Sequence, residues 1–365
     1  MRIFIAAGGT GGHVFPSVSV AEELRRLGNH EVFFLGTRRG LEADTVAPRF
    51  PILYVSARGW DRRFGLRTLR MVGENIVGFS TMGWYFLRYR PQAFLAMGSY
   101  LSLLGAFWAK FFRVPIYLHE QNVYPGLANR IVARWARKVF LAFAETEKYL
   151  RTRGEVEVTG NPLRREVMDW RGKKEEARCF LGLESNRKTI LVVGGSRGSS
   201  ILNRVFLEAL EILPQANLQV IHITGKEDYL EVSERARKKP FPYLVFPFLE
   251  SIGVAYAAAD VAFCRSGANT VTELFFFGLP SILVPYGEAT DNHQWYNACW
   301  LAQQGLAVVL GERELQASIL AQKLLEFLEQ PPQPRKAVVS WVQHLQKAST
   351  CIAQGILGDH REERA

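Results

Sequence analysis

Short apolar runs alternate with longer amphipathic stretches along the whole chain. The apolar runs have the length and the enrichment in Ile, Val and Phe that predict buried strands, and the stretches between them have the 3.6-residue period of helices. Strands are predicted at 2–7, 31–36, 94–97, 114–120, 138–143, 189–193, 218–225, 243–248, 260–266 and 281–287, and helices at 16–27, 126–137, 201–213, 312–329 and 335–356. This alternation is typical of a parallel, doubly wound sheet.

The pattern of elements starts again near the middle of the chain. GGTGGH (8–13) and GGSRGS (194–199) each follow a predicted strand and precede a helix. We therefore expect an α/β protein with two Rossmann-like, doubly wound domains that face a central cleft. The first domain is predicted at 1–160 and the second at 161–335, with a polar hinge at 159–166. A C-terminal helix, 336–358, is predicted to pack back on the first domain.

Composition is ordinary for a folded protein. The chain has 365 residues, of which 48% are hydrophobic and 22% charged, which excludes a disordered or fibrous chain. Its 4 cysteines form no CxxC pair, so we expect reduced thiols in a cytosolic protein. No signal peptide is recognisable at the start. The longest uncharged stretch, 91–109, contains glycine, proline and polar residues, and predicts strand, turn and helix rather than a membrane span.

The positive charge is concentrated in the first half. Residues 1–160 contain 22 Lys and Arg and 12 Asp and Glu. The difference, 22 − 12 = +10, equals the net charge of the entire chain. A basic and aromatic stretch runs from Arg58 to Arg70, and FWAKFFR (107–113) has a similar character. Cationic side chains beside aromatic ones favour contact with an anionic bilayer surface. A solvated face over a core helix is the alternative, and no motif supports nucleic acid as a partner.

The two glycine-rich loops predict anion sites, because glycine lets backbone N–H groups approach a phosphate at a helix N-terminus. Tight turns without a ligand are the alternative. Neither loop is a P-loop, since no GK[ST] follows. The first also departs from the dinucleotide pattern at Val14. Arg38 and Arg39 after the second strand could suit a 2′-phosphate, so an NADP-dependent oxidoreductase remains an alternative.

Three further segments carry candidate chemistry. In residues 264–280 a strand leads to a helix that begins near Asn269. One turn later, Glu273 could accept hydrogen bonds from both hydroxyls of a ribose. The alternative is that its negative charge only stabilises the N-terminus of the helix. His13, expected on a loop at the end of a strand, is a candidate general base or a structural histidine. HEQN (119–122) is expected to line the same crevice. No D-x-D, HExxH or Cys/His cluster occurs, so no metal and no cofactor are predicted.

Taken together, these segments resemble the MurG family, the peptidoglycan N-acetylglucosaminyltransferases that convert lipid I to lipid II. The matching segments are GGTGGHVFP (8–16), MGSYLS (97–102), HEQNVYPGLANR (119–130), VTGNPLR (158–164), GGSRGSSILN (194–203), AYAAADVAFCRSGANTVTELFFFGLPSILVPY (255–286) and DNHQWYNA (291–298). The resemblance implies a GT-B fold and an inverting, metal-independent transfer from UDP-N-acetylglucosamine to a lipid-linked muramyl-pentapeptide. It also implies a peripheral protein on the cytoplasmic face of the bacterial plasma membrane.

The resemblance also implies roles for individual residues. His13 would be the catalytic base, Glu273 would bind the ribose, and Leu249 would contact the uracil through its backbone. Ser196 and Arg164 would lie near the diphosphate, and Gln294 would contact the sugar. The donor site would comprise Thr10, Gly11, Gly12, Asn122, Arg164, Ser196, Leu249, Ala268, Asn269, Thr270, Val271, Thr272, Glu273 and Gln294, and the acceptor diphosphate site Gly9, Gly98, Ser99 and Tyr100.

Two positions depart from the family pattern. Ser99 stands where the family usually has a second glycine after Gly98, and His293 stands where a glutamine is usual beside Gln294. Other classes of protein also fit parts of the chain. A UDP-sugar epimerase on the same fold and a noncatalytic membrane-surface scaffold remain alternatives beside the NADP-dependent enzyme.

Overall fold

The computed structural model describes residues 1–8, 11–38, 42–56, 66–195, 198–214, 216–332 and 338–362. The chain divides into two compact units. Unit 1 comprises Met1–Pro162 together with His344–Ala365, and unit 2 comprises Leu163–Gln343. The boundary between Pro162 and Leu163 therefore falls within the predicted hinge, 159–166.

Unit 1 is built on a parallel sheet of 7 strands in the order β3-β2-β1-β4-β5-β6-β7. The strands of this sheet are β1 (Arg2–Ala6), β2 (Glu31–Gly36), β3 (Ile52–Tyr54), β4 (Ala93–Ala96), β5 (Ile116–Glu120), β6 (Lys138–Leu141) and β7 (Glu155–Val158). The central strands are apolar on both faces because helices cover both sides, as parallel sheets require.

The helices of unit 1 include two that belong to the C-terminal end of the chain. They are α1 (Gly11–Leu27), α2 (Glu42–Thr45), α3 (Leu66–Tyr89), α4 (Ser99–Phe111), α5 (Leu127–Val132), α14 (Val338–Gln346) and α15 (Ala348–Glu362), with a 3₁₀ helix at Ala144–Tyr149. Helix α14 begins in unit 2 and ends in unit 1. Helix α15 packs on α1, where Ile352 and Ile356 join the core with Val14 and Val18.

Unit 2 repeats the plan with a parallel sheet of 6 strands in the order β10-β9-β8-β11-β12-β13. Its strands are β8 (Lys188–Val193), β9 (Leu218–Ile223), β10 (Tyr243–Phe246), β11 (Val261–Cys264), β12 (Ser281–Leu283) and β13 (Ala307–Val309). Its helices are α6 (Arg165–Met168), α7 (Lys174–Leu181), α8 (Ser200–Leu210), α9 (Tyr229–Ala236), α10 (Ile252–Ala258), α11 (Ala268–Phe277), α12 (His293–Gln303) and α13 (Ala317–Glu329), with a 3₁₀ helix at Thr290–Asn292.

In each unit the strand that precedes a glycine-rich loop lies where the direction of winding reverses. Strand β1 pairs with β2 on one side and β4 on the other, and β8 pairs with β9 and β11. Ligands of open α/β sheets bind at this switch point, beyond the carboxyl ends of the strands. The expectation that the two glycine loops occupy equivalent positions is therefore confirmed.

Two expectations about individual elements were wrong, and three strands were missed. The first helix begins at Gly11 rather than at residue 16, so His13 lies on a helix and not on a loop. The C-terminal segment forms two helices instead of one, because the Lys347 amide bonds to the His344 carbonyl in a tightened turn. The short edge strands β3, β7 and β13 were not predicted.

The prediction for the uncharged stretch 91–109 is confirmed. Residues 91–109 form strand, turn and the start of a helix, as expected. Among the helices that the structure describes, none is both long and apolar enough to cross a bilayer. All four cysteines are free thiols.

Candidate active site

His13 lies in the first turn of α1, at the carboxyl end of β1. Its Nδ1 is 3.0 Å from Oε1 of Gln121, which follows β5. The ring also lies directly beside Gly98 after β4, because a Cβ built on Gly98 would be 2.5 Å from the His13 Cε1. Three connections at one edge of the sheet therefore fix the position of this ring.

The environment of His13 favours a neutral imidazole. Desolvation lowers the pKa of His13 below its usual value, while the Gln121 hydrogen bond, the Met97 carbonyl and the charge of Glu42 oppose that shift. A neutral ring keeps one nitrogen lone pair, which a general base needs. The side chain is half-buried, so the ring is not sealed in the core.

A buried carboxylate organises the segment that follows β5. Glu120 accepts hydrogen bonds from the Asn122 backbone N–H at 2.8 Å, the Asn122 amide at 3.2 Å, the Gly126 N–H at 3.2 Å and the Asn129 amide at 2.8 Å. Burial raises the pKa of Glu120, and these four donors counteract the shift by stabilising the charged form. Glu120 thus fixes the backbone and side chain of Asn122, one of the predicted donor residues.

The connection from β4 to α4 contains the residues predicted for the acceptor diphosphate. Gly98 has φ 104° and Ser99 has φ 70°, so both have left-handed backbone conformations. Glycine adopts such conformations freely, whereas serine pays a steric cost. The backbone conformation at residue 99 is therefore one that glycine adopts more readily than serine. Burial raises the pKa of Tyr100 to about 12, which keeps its hydroxyl protonated.

In unit 2 the residue predicted to bind the ribose, Glu273, is buried beside an arginine. Glu273 is only 6% exposed, and its Oε1 is 3.7 Å from Nη2 of Arg164. Burial raises the pKa of Glu273, while Arg164 and the Tyr256 hydroxyl act in the opposite direction. Arg164, assigned to the diphosphate by resemblance, is therefore found at the carboxylate predicted for the ribose.

The first turn of α11 has the geometry of an anion site. The intrahelical hydrogen bonds begin with the Val271 N–H, which donates to the Gly267 carbonyl at 2.9 Å, so the N–H groups before it point away from the helix. Thr272 donates its hydroxyl to the Ala268 carbonyl. The Val271 side chain is fully buried, and its N–H is bonded within the helix. Asn269 and Thr270 are half-exposed.

The remaining predicted residues of unit 2 lie in neighbouring connections. Gln294, near the start of α12, accepts a hydrogen bond from the Tyr286 N–H, and its carbonyl accepts one from the Ser266 hydroxyl after β11. His293 bonds through its ring to the Thr290 carbonyl. Leu249 is half-buried in the connection after β10.

Gln121 belongs to HEQN (119–122), which was expected to line this crevice, and its contact with His13 agrees with that expectation. Sequence reasoning assigned no role to Arg265. Arg265 is 8% exposed, and its Nη2 contacts both the Ser199 hydroxyl at 3.0 Å and the Glu312 carboxylate at 2.5 Å. Arg265 therefore links the end of β11 to the end of the second glycine loop.

Some predicted residues lie outside the part of the chain that the structure describes. They are Gly9, Thr10, Arg39, Ser196 and the part of the basic stretch between Arg58 and Gly65. Gly11 and Gly12 are the first two residues of α1. Within the described ranges, no group of three or more His, Cys, Asp and Glu side chains is arranged to hold a metal ion.

Comparison with protein families identifies both units. Residues 3–141 match the N-terminal domain of glycosyltransferase family 28, and residues 189–348 match its C-terminal domain. A crystal structure of MurG from Acinetobacter baumannii superposes with a TM-score of 0.75 and 26% identity, covering 98% of this chain and 99% of that one. Two Rossmann-like units with these matches define a glycosyltransferase of the GT-B fold.

Curated relatives narrow the family further. The transferase of Caldanaerobacter subterraneus subsp. tengcongensis is 36% identical over 91% of this chain and 92% of its own length. That of Pelobacter propionicus is 35% identical over the same shares. This chain belongs to their family, the UDP-N-acetylglucosamine–N-acetylmuramyl-(pentapeptide) pyrophosphoryl-undecaprenol N-acetylglucosamine transferases.

One structural neighbour concerns an alternative raised above. The UDP-GlcNAc 2-epimerase of Neisseria meningitidis has a TM-score of 0.67 and covers 98% of this chain and 100% of its own, but its identity is 14%. At that identity the likeness shows only a shared fold. The chain is an N-acetylglucosamine transferase by family, and neither the epimerase nor the NADP-dependent enzyme has support.

Proposed function

We propose that this enzyme transfers N-acetylglucosamine from UDP-N-acetylglucosamine to the 4-hydroxyl of lipid-linked N-acetylmuramyl-pentapeptide, which converts lipid I to lipid II in peptidoglycan synthesis. The names of the relatives state both substrates. The observation that supports the proposal most is the buried pair of Glu273 and Arg164 beside the first turn of α11. A carboxylate next to a helix N-terminus suits a ribose attached to a diphosphate.

In this proposal each part of the donor meets a group of matching chemistry. Glu273 accepts hydrogen bonds from the two ribose hydroxyls. The backbone N–H groups in the first turn of α11 donate hydrogen bonds to the diphosphate, with Arg164 and Ser196 nearby. Leu249 contacts the uracil through its backbone, and Gln294 contacts the sugar. Asn122, Thr10, Gly11 and Gly12 complete the donor set.

The chemical step is a displacement with inversion. The 4-hydroxyl oxygen of the acceptor forms a bond to the anomeric carbon while the bond from that carbon to the UDP oxygen breaks. His13 takes the hydroxyl proton, and UDP leaves with the electron pair. Backbone donors placed where the negative charge develops lower the barrier, and the loss of one such donor costs about 3 kcal/mol. Gly9, Gly98, Ser99 and Tyr100 are proposed to bind the acceptor diphosphate.

The test is transfer of labelled N-acetylglucosamine to a short-chain lipid I analogue, with and without EDTA. We expect transfer by the wild-type enzyme in both conditions and loss of turnover in His13→Ala at saturating substrates. Activity of His13→Ala within about threefold of wild type would remove His13 as the base, because general bases contribute roughly 10²–10⁴-fold. No labelled lipid product from the wild-type enzyme would overturn the proposal itself.

We further propose that α3 and α4 of unit 1 contact an anionic membrane surface. These two helices pack together and expose large apolar side chains, among them Trp84 at 55% and Phe111 at 66%. Arg88, Lys110 and Arg113 are exposed on the same two helices or directly after them. Aromatic and cationic side chains suit the headgroup region of a bilayer that contains acidic lipids.

A further inference from the structure

A chain of hydrogen bonds connects the candidate base to the end of β7. His13 Nδ1 is 3.0 Å from Gln121 Oε1, Gln121 Nε2 is 2.9 Å from His119 Nδ1, and His119 Nε2 is 3.1 Å from the Gly160 carbonyl oxygen. His119 and Gln121 are both buried, with exposures of 0% and 1%. All four residues belong to unit 1.

Two carbonyl groups fix the direction of every hydrogen bond in this chain. The Gly160 carbonyl can only accept, so His119 carries its proton on Nε2 and presents a lone pair on Nδ1. Gln121 Nε2 also donates to the His119 backbone carbonyl at 3.1 Å, which independently fixes the orientation of the Gln121 amide. Gln121 Oε1 therefore faces His13, and an amide oxygen can only accept.

The two imidazoles are neutral in this environment. Burial lowers the pKa of His119 to about 4, against the opposing effect of the Gly160 carbonyl. Desolvation likewise lowers the pKa of His13, although Gln121, the Met97 carbonyl and Glu42 oppose it. Each ring then holds a single proton. In His13 the Gln121 Oε1 lies 3.0 Å from Nδ1, which favours the proton on that nitrogen.

We propose that Gln121 and His119 are positioning residues that hold His13 as the tautomer with its proton on Nδ1, which makes Nε2 the basic nitrogen. The tautomer itself follows from the hydrogen bonds, and its catalytic consequence rests on the proposed role of His13. In the transfer step Nε2 takes the proton of the acceptor hydroxyl. The Gln121 amide cannot accept a proton from Nδ1, so the proton leaves from Nε2 to water after the reaction.

The direct test reads the His13 tautomer without using activity. The full-length enzyme labelled with ¹⁵N-histidine gives long-range ¹H–¹⁵N correlations, and His13→Gln assigns the His13 signals. We expect a protonated Nδ1 and an unprotonated Nε2 in the wild type. Gln121→Met, which preserves length but removes the hydrogen bonds to both histidines, should produce a population protonated on Nε2. A wild-type His13 protonated on Nε2, or an unchanged tautomer in Gln121→Met, overturns the proposal.

Turnover measurements show whether the tautomer matters for transfer. Gln121→Met should lower kcat at least tenfold, since a wrong tautomer can cost up to about 10⁴-fold, and should leave the KM for UDP-N-acetylglucosamine within about twofold. If Gln121→Met fails to bind UDP, it is misfolded, and the variants His119→Asn and His119→Leu then test the proposal. Unchanged kcat in a variant with an altered tautomer would contradict the catalytic consequence.

Two substitutions of His119 provide a matched control. In His119→Asn the Oδ1 atom can replace Nδ1 as the acceptor for the Gln121 amide, whereas His119→Leu offers no acceptor. We expect His119→Asn to keep both the wild-type tautomer and kcat within about threefold, and His119→Leu to lose both. Equal effects of the two variants would contradict the relay. A wild-type spectrum as predicted, together with full activity of His13→Ala, would refute the proposed base and leave the relay intact.

Discussion

At the scale of single residues, burial determines which ionisable groups can serve the proposed chemistry. Glu273 is a carboxylate whose pKa burial raises, and Arg164 at 3.7 Å provides the compensating charge. Such a carboxylate keeps its charge only with a partner and can form charge-assisted hydrogen bonds with hydroxyl groups. His13 shows the opposite case, in which burial lowers a pKa and leaves a neutral ring.

The first prediction concerns Glu273. Replacing it with glutamine keeps its shape but removes the charge, so donor affinity should fall about tenfold, since a hydrogen bond to a charged group contributes about 1.5–3 kcal/mol. Calorimetric titration with UDP measures this change. Glu176→Gln on the exposed surface of α7 is the matched control and should bind UDP like the wild type. Unchanged affinity in Glu273→Gln would mean that the carboxylate only supports the fold.

The second prediction concerns His222, a buried histidine of unit 2. Its Nε2 contacts the Asn203 Oδ1 at 2.9 Å and its Nδ1 contacts the Tyr243 hydroxyl at 3.0 Å. Burial lowers the pKa of His222 to about 3. Between the unfolded pKa of about 6.5 and this value, the unfolded chain binds a proton that the folded chain does not. The contribution of His222 to the free energy of unfolding is therefore greatest above pH 6.5 and decreases as the pH falls from about 6.5 towards 3.

Denaturant unfolding of the full chain at pH 7 and pH 5 measures this loss. His222 alone should account for about 2 kcal/mol of the difference, at 1.36 kcal/mol per pH unit. His222→Gln removes the titrating group and should show a correspondingly smaller pH dependence, even if it is less stable at both pH values. The same pH dependence in both proteins would contradict the assignment.

At the scale of elements, the connection between β4 and α4 explains how a loop fixes a side chain on another element. Gly98 has φ 104°, and a Cβ built there would be 2.6 Å from the His13 Nδ1. A side chain at this position therefore cannot coexist with the observed imidazole. Ser99 has φ 70°, and its hydroxyl oxygen is buried without a hydrogen-bond partner. Adding a side chain at residue 98 should therefore destabilise this connection, whereas removing the side chain of residue 99 should stabilise it.

Two substitutions at this connection should have opposite effects. Gly98→Ala should reduce the free energy of unfolding by about 2 kcal/mol, because a strained backbone costs about 1–3 kcal/mol, and should displace His13 and reduce transfer. Ser99→Gly should increase the free energy of unfolding by about 1 kcal/mol, because it relieves a left-handed conformation. Urea unfolding and the transfer assay measure both effects. A stable and fully active Gly98→Ala would show that His13 does not need its observed position.

At the scale of the whole molecule, the chain repeats one architecture with different chemistry in each unit. In both units the glycine loop follows the strand at the switch point, and the strand on one side of it leads to a second candidate helix, α4 or α11. Unit 1 carries the entire formal charge excess of +10, and unit 2 has none. The positively charged unit also exposes aromatic side chains on α3 and α4.

The prediction at this scale concerns membrane binding. The double variant Lys110→Glu with Arg113→Glu should reduce sedimentation with vesicles of acidic phospholipid at least tenfold, because each basic residue near such a surface contributes about 1 kcal/mol. The control Arg237→Glu with Lys238→Glu makes the same change of charge on exposed residues of unit 2 and should bind like the wild type. Equal binding by all three proteins would exclude this surface as the contact.

The sequence by itself determined the alternation of strands and helices, the duplicated plan and the two glycine loops, because these depend on local patterns of apolar residues and glycines. It could not show that α1 begins at Gly11, since glycines predict a loop where packing instead extends the helix. Strands β7 and β13 have only 4 and 3 residues, and pairing with neighbours distant in sequence defines them. The contacts of His13 with Gln121 and of Glu273 with Arg164 likewise join residues 108 and 109 positions apart. Only the tertiary structure decided them, because hydrogen bonds and pKa shifts depend on distance in space and on burial.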